Sequence, residues 1–556
     1  MIGETVVITN QRRSMYEALA VFVVAWAFLF FTMNRSVNIF DEGIILTDAM
    51  LLGQGKMLHR DFYANYGPGS HIVVLALIKS FASAFLAVRA YGTAVMAGIV
   101  AAVWLILRPT TSAVIAIVGT SVTTLLVFSS PQYLYPSYPC ILLYLIGSIA
   151  LLDANGLKKH RAVFIAGTTA GLSAYFRYDA GFFILVSHCL GIIMLCRTQR
   201  QPWRSIGIRI AVYAAAAAIV FAPAALIFVA NAPISAFLFD ILEFPSRFYA
   251  KTRSLPFPTP IEMLKHPAFS IIYLPLISVI LAAVTWWLSR IKPAPGFHKV
   301  GPLLMIFGPL ALILYYKGLV RVSTVHQMMA IVPAVIITCA CAYQWWQHTK
   351  IFKALAAAAM LGLIFVSLFN ARWLVLEYRA TPNHMMGFWL AGASSTLPEG
   401  TPFCREPRRT VGMYLPPDYA AASAYLRSVM APTEKLYVGL RRHDIVYVDA
   451  DALYFTVDRL PATRWHQFDP GLQNSAPIQE AIIDDLRATQ TRWIVRDGGF
   501  ENIHEPNDSD LSSGVRILDA FIDRHYRRVA AFGSTEIWLQ NSVSLPRIAP
   551  KPCISA

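Results

Sequence analysis

Long apolar runs separated by short polar segments fill the first 370 residues, at lengths that suit helices in a hydrocarbon core. About 20 helical residues cross such a core, with roughly 17 to 25 tolerated. The runs fall at 16–33, 91–107, 112–129, 138–153, 162–176, 180–196, 209–230, 269–288, 301–316, 324–346 and 354–370. A further run, 71–88, decides the topology of everything after it. Lys and Arg of short loops stay on the cytoplasmic side. The basic segments here are Arg108, Lys158 to Arg161, Arg197 to Arg209, Arg290 to Lys299 and His348 to Lys353. They share one side only if 71–88 lies along the membrane surface, or dips in and returns, and Lys79 in its middle favours that arrangement. The pattern predicts eleven crossings with the N-terminus inside, long outer loops at 34–90 and 231–268, and an outer tail after 370.

The tail, 371–556, changes period. Short strand-like runs stand at KLYVGL (435–440), IVYVDA (445–450), RWIVRD (492–497) and TEIWLQ (535–540), with helical stretches near 417–429, 476–489 and 513–526. Alternating strands and helices predict a small α/β domain. No GxGxxG follows a strand, so no dinucleotide site is expected, and no repeat of 20 to 50 residues recurs.

Composition agrees with a membrane class. Of 556 residues 56% are apolar and 14% charged, against about 25% charged in a soluble domain. The excess of Lys and Arg (47) over Asp and Glu (32) fits cytoplasmic loops and lipid headgroups better than nucleic acid. Five of the seven cysteines, Cys140, Cys189, Cys196, Cys339 and Cys341, lie in apolar spans, which leaves Cys404 and Cys553 of the tail as the pair able to bond. No CxxC or HExxH spacing suggests a metal. Arg12 and Arg13 precede an apolar run without a small-residue cleavage site, the pattern of an uncleaved first span.

The candidate chemistry centres on FDEGIILTDAMLLGQGKMLHRDFYANYGPGS, Phe40 to Ser70, which is too polar and Gly-rich to continue the first span. Asp41 and Glu42 stand at a hydrocarbon boundary, where a carboxylate needs a partner or a task. Asp41 either caps the helix starting near Gly43 or acts chemically. Arg177 and Asp179 in FRYDAG fall at an outer turn, as a mutual ion pair or as substrate contacts. Lys317, Arg321 and His326 in YYKGLVRVSTVH gather cations at another, against the positive-inside trend. Such a cluster suits a phosphate, since Arg offers a fork and Lys a point charge; contact with headgroups is the plainer alternative. Arg247, Lys251 and Arg253, among the aromatics and prolines of Phe244 to Pro260, form a basic loop fit to lie on a membrane or touch a lipid phosphate. A carboxylate, several cations and a lipid-accessible floor suit transfer of a group from a lipid phosphate to an outside acceptor. The carboxylate would take the acceptor's proton, an effect of about 10² to 10⁴ in rate. No soluble nucleotide is required.

The DEG head, and above all the RDF-x-x-x-YGP segment from Arg60 to Pro68, resemble the first outer loop of the GT-C membrane glycosyltransferases, in the bacterial branch similar to protein O-mannosyltransferases, aminoarabinose transferases and galacturonosyltransferases. FRYDAG and the spacing of Arg321 and His326 are similar to later blocks of that branch. The resemblance implies a polyprenyl-phosphate sugar donor, inverting transfer at the periplasmic face of a bacterial inner membrane, and Asp41 as the acidic catalytic residue. It implies that Glu42 orients the loop, and that Arg60, Asp61 and Tyr66 of the matched segment contact substrate. The turn SSPQYLYPSYP, 129–139, lacks the second acid of many relatives, a place that Asp179 would take, or Tyr135 and Tyr138 by binding acceptor.

The reading that joins these residues is a glycosyltransferase moving one sugar to an envelope lipid, glycan or protein. Lys317 and Arg321 would hold the donor phosphate with Arg177 and Arg247 behind them, and His326 would orient phosphate or acceptor. No cofactor is expected, though Asp41 and Asp179 are the acids that would share a divalent ion. A transporter or flippase is the rival, yet the chain shows neither related halves nor midplane charges. A scaffold is the other, and eleven spans exceed what an anchor needs.

Overall fold

The computed structural model describes residues 2–130, 133–153, 160–265, 267–291, 296–380, 408–468 and 471–546. Cys404, Cys553 and Lys158 lie outside the described residues. The chain divides into two compact units. A helical unit comprises Met1–Met33, Ala90–Leu226 and Pro256–Pro382; a sheet unit comprises Asn34–Arg89, Ile227–Leu255 and Asn383–Ala556. The first predicted loop and much of the second thus fold with the tail. Their apolar side chains explain this, because Tyr63 of the first and Phe244 of the second sit in one buried cluster with Tyr437, Leu440, Ile482 and Ile494 of the tail.

In the helical unit, helices occur at all eleven predicted runs. Eight of them are long and apolar enough to cross a membrane, while Ala113–Phe128 and Ser137–Leu152 are shorter apolar helices and His160–Phe176 is a 17-residue one. This is a polytopic helical membrane protein. Thr324–Trp345 is buried along nearly its whole length, packed by Leu274–Ile291, Phe297–Gly318 and Lys350–Ala380. Gly167 and Gly171 give His160–Phe176 a small-xxx-small face. A Cβ on either would fall 2.2 Å from the Tyr213 carbonyl oxygen or 2.5 Å from that of Ala217, so their absence is what lets the Trp203–Asn231 backbone approach.

The apolar run 71–88 is not one segment. It divides between a helix Pro68–Ser80 and the start of Ala84–Thr110, with a break at 81–83. Thirteen residues span about 20 Å, short of a core about 30 Å thick. The predicted 91–107 span accordingly begins earlier than its hydropathy suggests, because Arg89, a residue that marks a boundary in sequence, lies within the helix and is neutralised there.

The sheet unit carries strands β1 Leu436–Leu440, β2 Trp493–Asp497, β3 Tyr526–Phe532 and β4 Thr535–Gln540, in spatial order β1-β2-β4-β3. β1 and β2 pair parallel, Leu436 opposite Trp493, and β4 joins antiparallel to both β2 and β3. Three of the four predicted strands are these. IVYVDA is not a strand: it is a buried irregular segment whose Val446 amide bonds to the Ser509 carbonyl, and it leads its Asp449 to the buried acids described below. The missing strand is β3, which begins where the helix expected at 513–526 stops; that helix is Ile517–His525. Pro417–Val429 and Ala476–Ala488 match their predicted stretches.

The Asp41–Gly53 helix is the seam of this unit. It lies so close to the Ala452–Val457 helix that a Cβ on Gly43 would meet the Ala452 nitrogen at 2.3 Å and the Asp451 carbonyl carbon at 2.9 Å. The contact is backbone on backbone and has no side chain to yield. Gly43→Ala is therefore expected to destabilise the seat by about 1 to 3 kcal/mol, the usual range for overpacking. Hydrogen exchange over 41–53 in the full-length protein checks this, with faster exchange in the variant.

Candidate functional site

Asp41 is the first residue of its helix, half-buried, and its amide donates to Asn38 Oδ1 at 2.7 Å. The same Asn38 oxygen accepts from the Phe40 amide at 3.1 Å, and Glu42 Oε2 accepts from the Asn38 amide at 3.1 Å. Asn38 thus accepts from the first amides of the helix start, while Glu42 reaches back to the Asn38 amide ahead of it. The capping role considered for Asp41 falls to Asn38. Glu42 is buried and faces Arg89 Nη2 at 2.8 Å, while Arg89 also donates to the Ser36 carbonyl at 2.9 Å. Burial pushes the Glu42 carboxyl above its usual range, against the pull of Arg89 and the Asn38 amide. This pair ties the two ends of the first loop together.

Further along the same helix lies a second buried set, none of it singled out by the sequence. Asp48 accepts from Gln467 Nε2 at 3.1 and 3.0 Å, and His466 Nε2 and His71 Nε2 stand 3.2 and 3.6 Å from its two oxygens. The other nitrogen of His466 meets Asp451 Oδ1 at 3.2 Å. Burial disfavours the imidazolium of His466, yet Asp451 and Asp48 on its two sides carry it up to about 10. Burial raises Asp451 to about 6, with His466 opposing, and holds Asp449 well above the carboxylate range with help from Asp451. Burial lowers His71. One positive ring thus stands between carboxyls, with a neutral His71 beside it. His59, with a left-handed backbone (φ 66), makes a similar buried pair with Asp240 at 2.7 Å. The signal for Asp48 and His71 was a polar residue inside an apolar run; their partners, some 400 positions away, left none.

The remaining residues of the matched segment are placed differently. Arg60 pairs with its neighbour Asp61 at 2.7 Å on the surface, and Asp61 also accepts from the Met57 amide at 2.8 Å. Tyr66 is buried. Arg247 is exposed and paired with Glu243 at 2.6 Å, one helical turn away.

In the helical unit, a single extended residue, Arg177, separates His160–Phe176 from Tyr178–Thr198. Its guanidinium turns back on Asp179, Nε to Oδ1 at 3.1 Å and Nη2 to Oδ2 at 3.0 Å, and reaches Ser137 Oγ at 3.4 Å. Lys317, in the last turn of Phe297–Gly318, meets the same Oδ2 at 3.2 Å. Two cations share one anion. The sequence pairing of Arg177 with Asp179 is present, and Lys317 joins it. The same unit holds an apolar groove of about 630 Å³ lined by Phe182, Leu276, Leu312, Tyr315, Tyr316 and Leu319, among others; Arg177, Asp179 and Lys317 do not line it. Phe182 is one turn from Asp179, and Tyr316 adjoins Lys317. Arg321 is half-buried in the following turn, and His326 shares a 2.7 Å hydrogen bond with Ser323, which caps Thr324–Trp345. Tyr135 and Tyr138 are buried against each other, ring centres 6.2 Å apart. Among the described residues, no group of three or more His, Cys, Asp or Glu is arranged to hold a metal ion.

No protein-family model matches the chain, and no curated protein matches it by sequence. Its structure is similar to that of ArnT from Cupriavidus metallidurans in the apo state, with a TM-score of 0.51 at 13% identity, over 95% of this chain and 98% of that one. The fold is that of ArnT. A second ArnT structure, bound to undecaprenyl phosphate, gives a TM-score of 0.50 at 12% identity over 96% and 99% of the two chains. The GT-C fold expected from the Asp41 to Ser70 segment is thus present, and ArnT, like this chain, carries it over almost the full length.

Within this ArnT-like fold, the His466 cluster makes stability depend on pH. The folded value near 10 lies above the usual imidazole value of about 6.5. Its stabilisation is fully present below about 6.5 and is lost as pH rises through about 10, at no more than about 1.4 kcal/mol per pH unit. Thermal unfolding followed from pH 7 to 10 is expected to show a steeper fall in midpoint for the native protein than for His466→Gln. Parallel profiles would contradict the charged assignment.

Proposed function

We propose that the protein is an inverting glycosyltransferase that moves one sugar from a polyprenyl-phosphate donor to an envelope lipid, glycan or protein at the periplasmic face of a bacterial inner membrane. The observation that carries this reading is that Lys317 and Arg177 meet on Asp179 in the same helical unit that holds an apolar groove, in a chain with the ArnT fold. A groove of that kind suits an isoprenoid chain, and the Lys317 and Arg177 cations suit the phosphate at the chain's end. One similar ArnT structure is bound to undecaprenyl phosphate, the same pairing of long hydrocarbon and anion.

The acceptor hydroxyl attacks the anomeric carbon as the bond from that carbon to the phosphate oxygen breaks. The hydroxyl proton passes to Asp41, and polyprenyl phosphate leaves with the bonding electrons. The donor phosphodiester bears one negative charge and the departing monoester about 1.5 to 2. Cations therefore stabilise departure more than they stabilise bound donor, which is the condition for raising the rate rather than only the affinity. Lys317 and Arg321 are assigned to that phosphate, with Arg177 supporting Lys317 through Asp179. Arg247 and Arg60 are exposed, Asp61 is half-buried beside Arg60, and all three fit surface contact with acceptor or headgroups. Glu42 and Tyr66, both buried, support the loop that bears Asp41.

Mass spectrometry of envelope lipids and glycans from cells with and without the protein tests the reaction. A polyprenyl-phosphate sugar should accumulate without it, together with one envelope species lighter by that sugar. An unchanged envelope would overturn the proposal, and a redistributed lipid with no sugar lost would favour a transporter. Asp41→Asn should reproduce the deletion, with transfer lower by about 10² to 10⁴ and undecaprenyl phosphate still bound. Lys317→Ala should weaken that binding about tenfold or more.

A further inference from the structure

We infer that Asp48 and His466 are positioning residues for Asp41, fixing the Asp41–Gly53 helix on the tail segment 449–467. The inference rests on the assignment of Asp41 as base and gives the tail a part in the same reaction. Asp48 follows Asp41 by seven residues, two helical turns, so the two lie on the same side and about 10 Å apart along the axis. Near Asp41 the helix is held by Glu42 on Arg89 and by the Asn38 cap. Its second hold is Asp48, enclosed by His466, Gln467 and His71, with Thr47 donating to the Asp451 carbonyl at 3.1 Å. The Ala452 amide bonds to the Ile39 carbonyl at 2.8 Å, so the same tail segment also grips the residue just ahead of the helix.

Two holds fix a rod's direction, whereas one leaves it free to pivot. A pivot at Glu42 moves the neighbouring carboxyl of Asp41, and a displacement of about 1 Å at a reacting group costs on the order of 10² in rate. The chemistry of the second hold fits that purpose better than it fits stability. Apolar side chains of similar size would bind helix to tail without desolvating ions, and often more strongly. A buried imidazolium between two carboxyls accepts only one register, because any slide leaves a charge unmatched in a dry site. The whole set is buried: Asp48, His71, Asp449, Asp451, His466 and Gln467 all show 1% exposure or less.

The test uses full-length protein in lipid nanodiscs, a panel of synthetic undecaprenyl-phosphate sugars as donor, and envelope extract from cells lacking the protein as acceptor. Released undecaprenyl phosphate is measured. Asp48→Asn and His466→Gln should lower kcat tenfold or more and leave KM for the donor within twofold. Asp519→Asn, which breaks the 2.7 Å pair with His443 elsewhere in the sheet unit, should lower the unfolding midpoint comparably and keep kcat. A normal kcat in Asp48→Asn, or an equal loss in Asp519→Asn at matched midpoint, overturns the inference. Full transfer by Asp41→Asn overturns the base assignment and this inference with it. Loss in Asp41→Asn beside normal Asp48→Asn overturns the inference alone.

Discussion

Charge withdrawn from water and answered by opposite charge is the constraint on which this protein depends. An unpaired ion in a dry site costs several kcal/mol, so each such group dictates where its partner must be. In the sheet unit, His466 between Asp48 and Asp451 joins the start of the chain to residues more than 400 positions later. Glu42 with Arg89 closes the first loop on itself. Alongside the apolar cluster that joins Tyr63 and Phe244 to the tail, the His466 set fixes where a loop of the membrane module meets it. The sheet supplies an apolar floor, and the ions choose the register.

The helical unit applies the same rule to a different end. Arg177, between two helices, and Lys317, in the last turn of a helix far along the sequence, converge on Asp179. Two cations on one carboxylate are the feature from which donor-phosphate binding is proposed. Asp179 holds both cations at one carboxylate. Its absence would leave two positive charges repelling each other at one helical rim.

The helices of the membrane module were legible because each repeats one demand, an apolar surface about 20 residues long. The run 71–88 reads as one piece because hydropathy does not register the break at 81–83, and Arg89 looks like an end until Glu42 is seen beside it. Strands β1, β2 and β4 were readable from their β-branched and aromatic content. IVYVDA had the same content and failed as a strand, since Asp449 draws it toward the buried acids; β3, with two arginines and two alanines, lacked the signature and is held by its partner strand. Among site residues, Asp41, Arg177, Asp179 and Lys317 stood out as charges at helix ends. Asp48, His71, His466 and Asp451 did not, because a buried ion declares itself only when its partner is known, and here only folding brings the partners together.

The most direct measurement is an experimental structure of the full-length protein with undecaprenyl phosphate. The isoprenoid chain is expected along Leu312 and Tyr316, with the phosphate within about 4 Å of Lys317 or Arg321, the ordinary range of an ion pair. A lipid seated elsewhere, with Lys317 still turned to Asp179 alone and no phosphate beside Arg321, would contradict that placement.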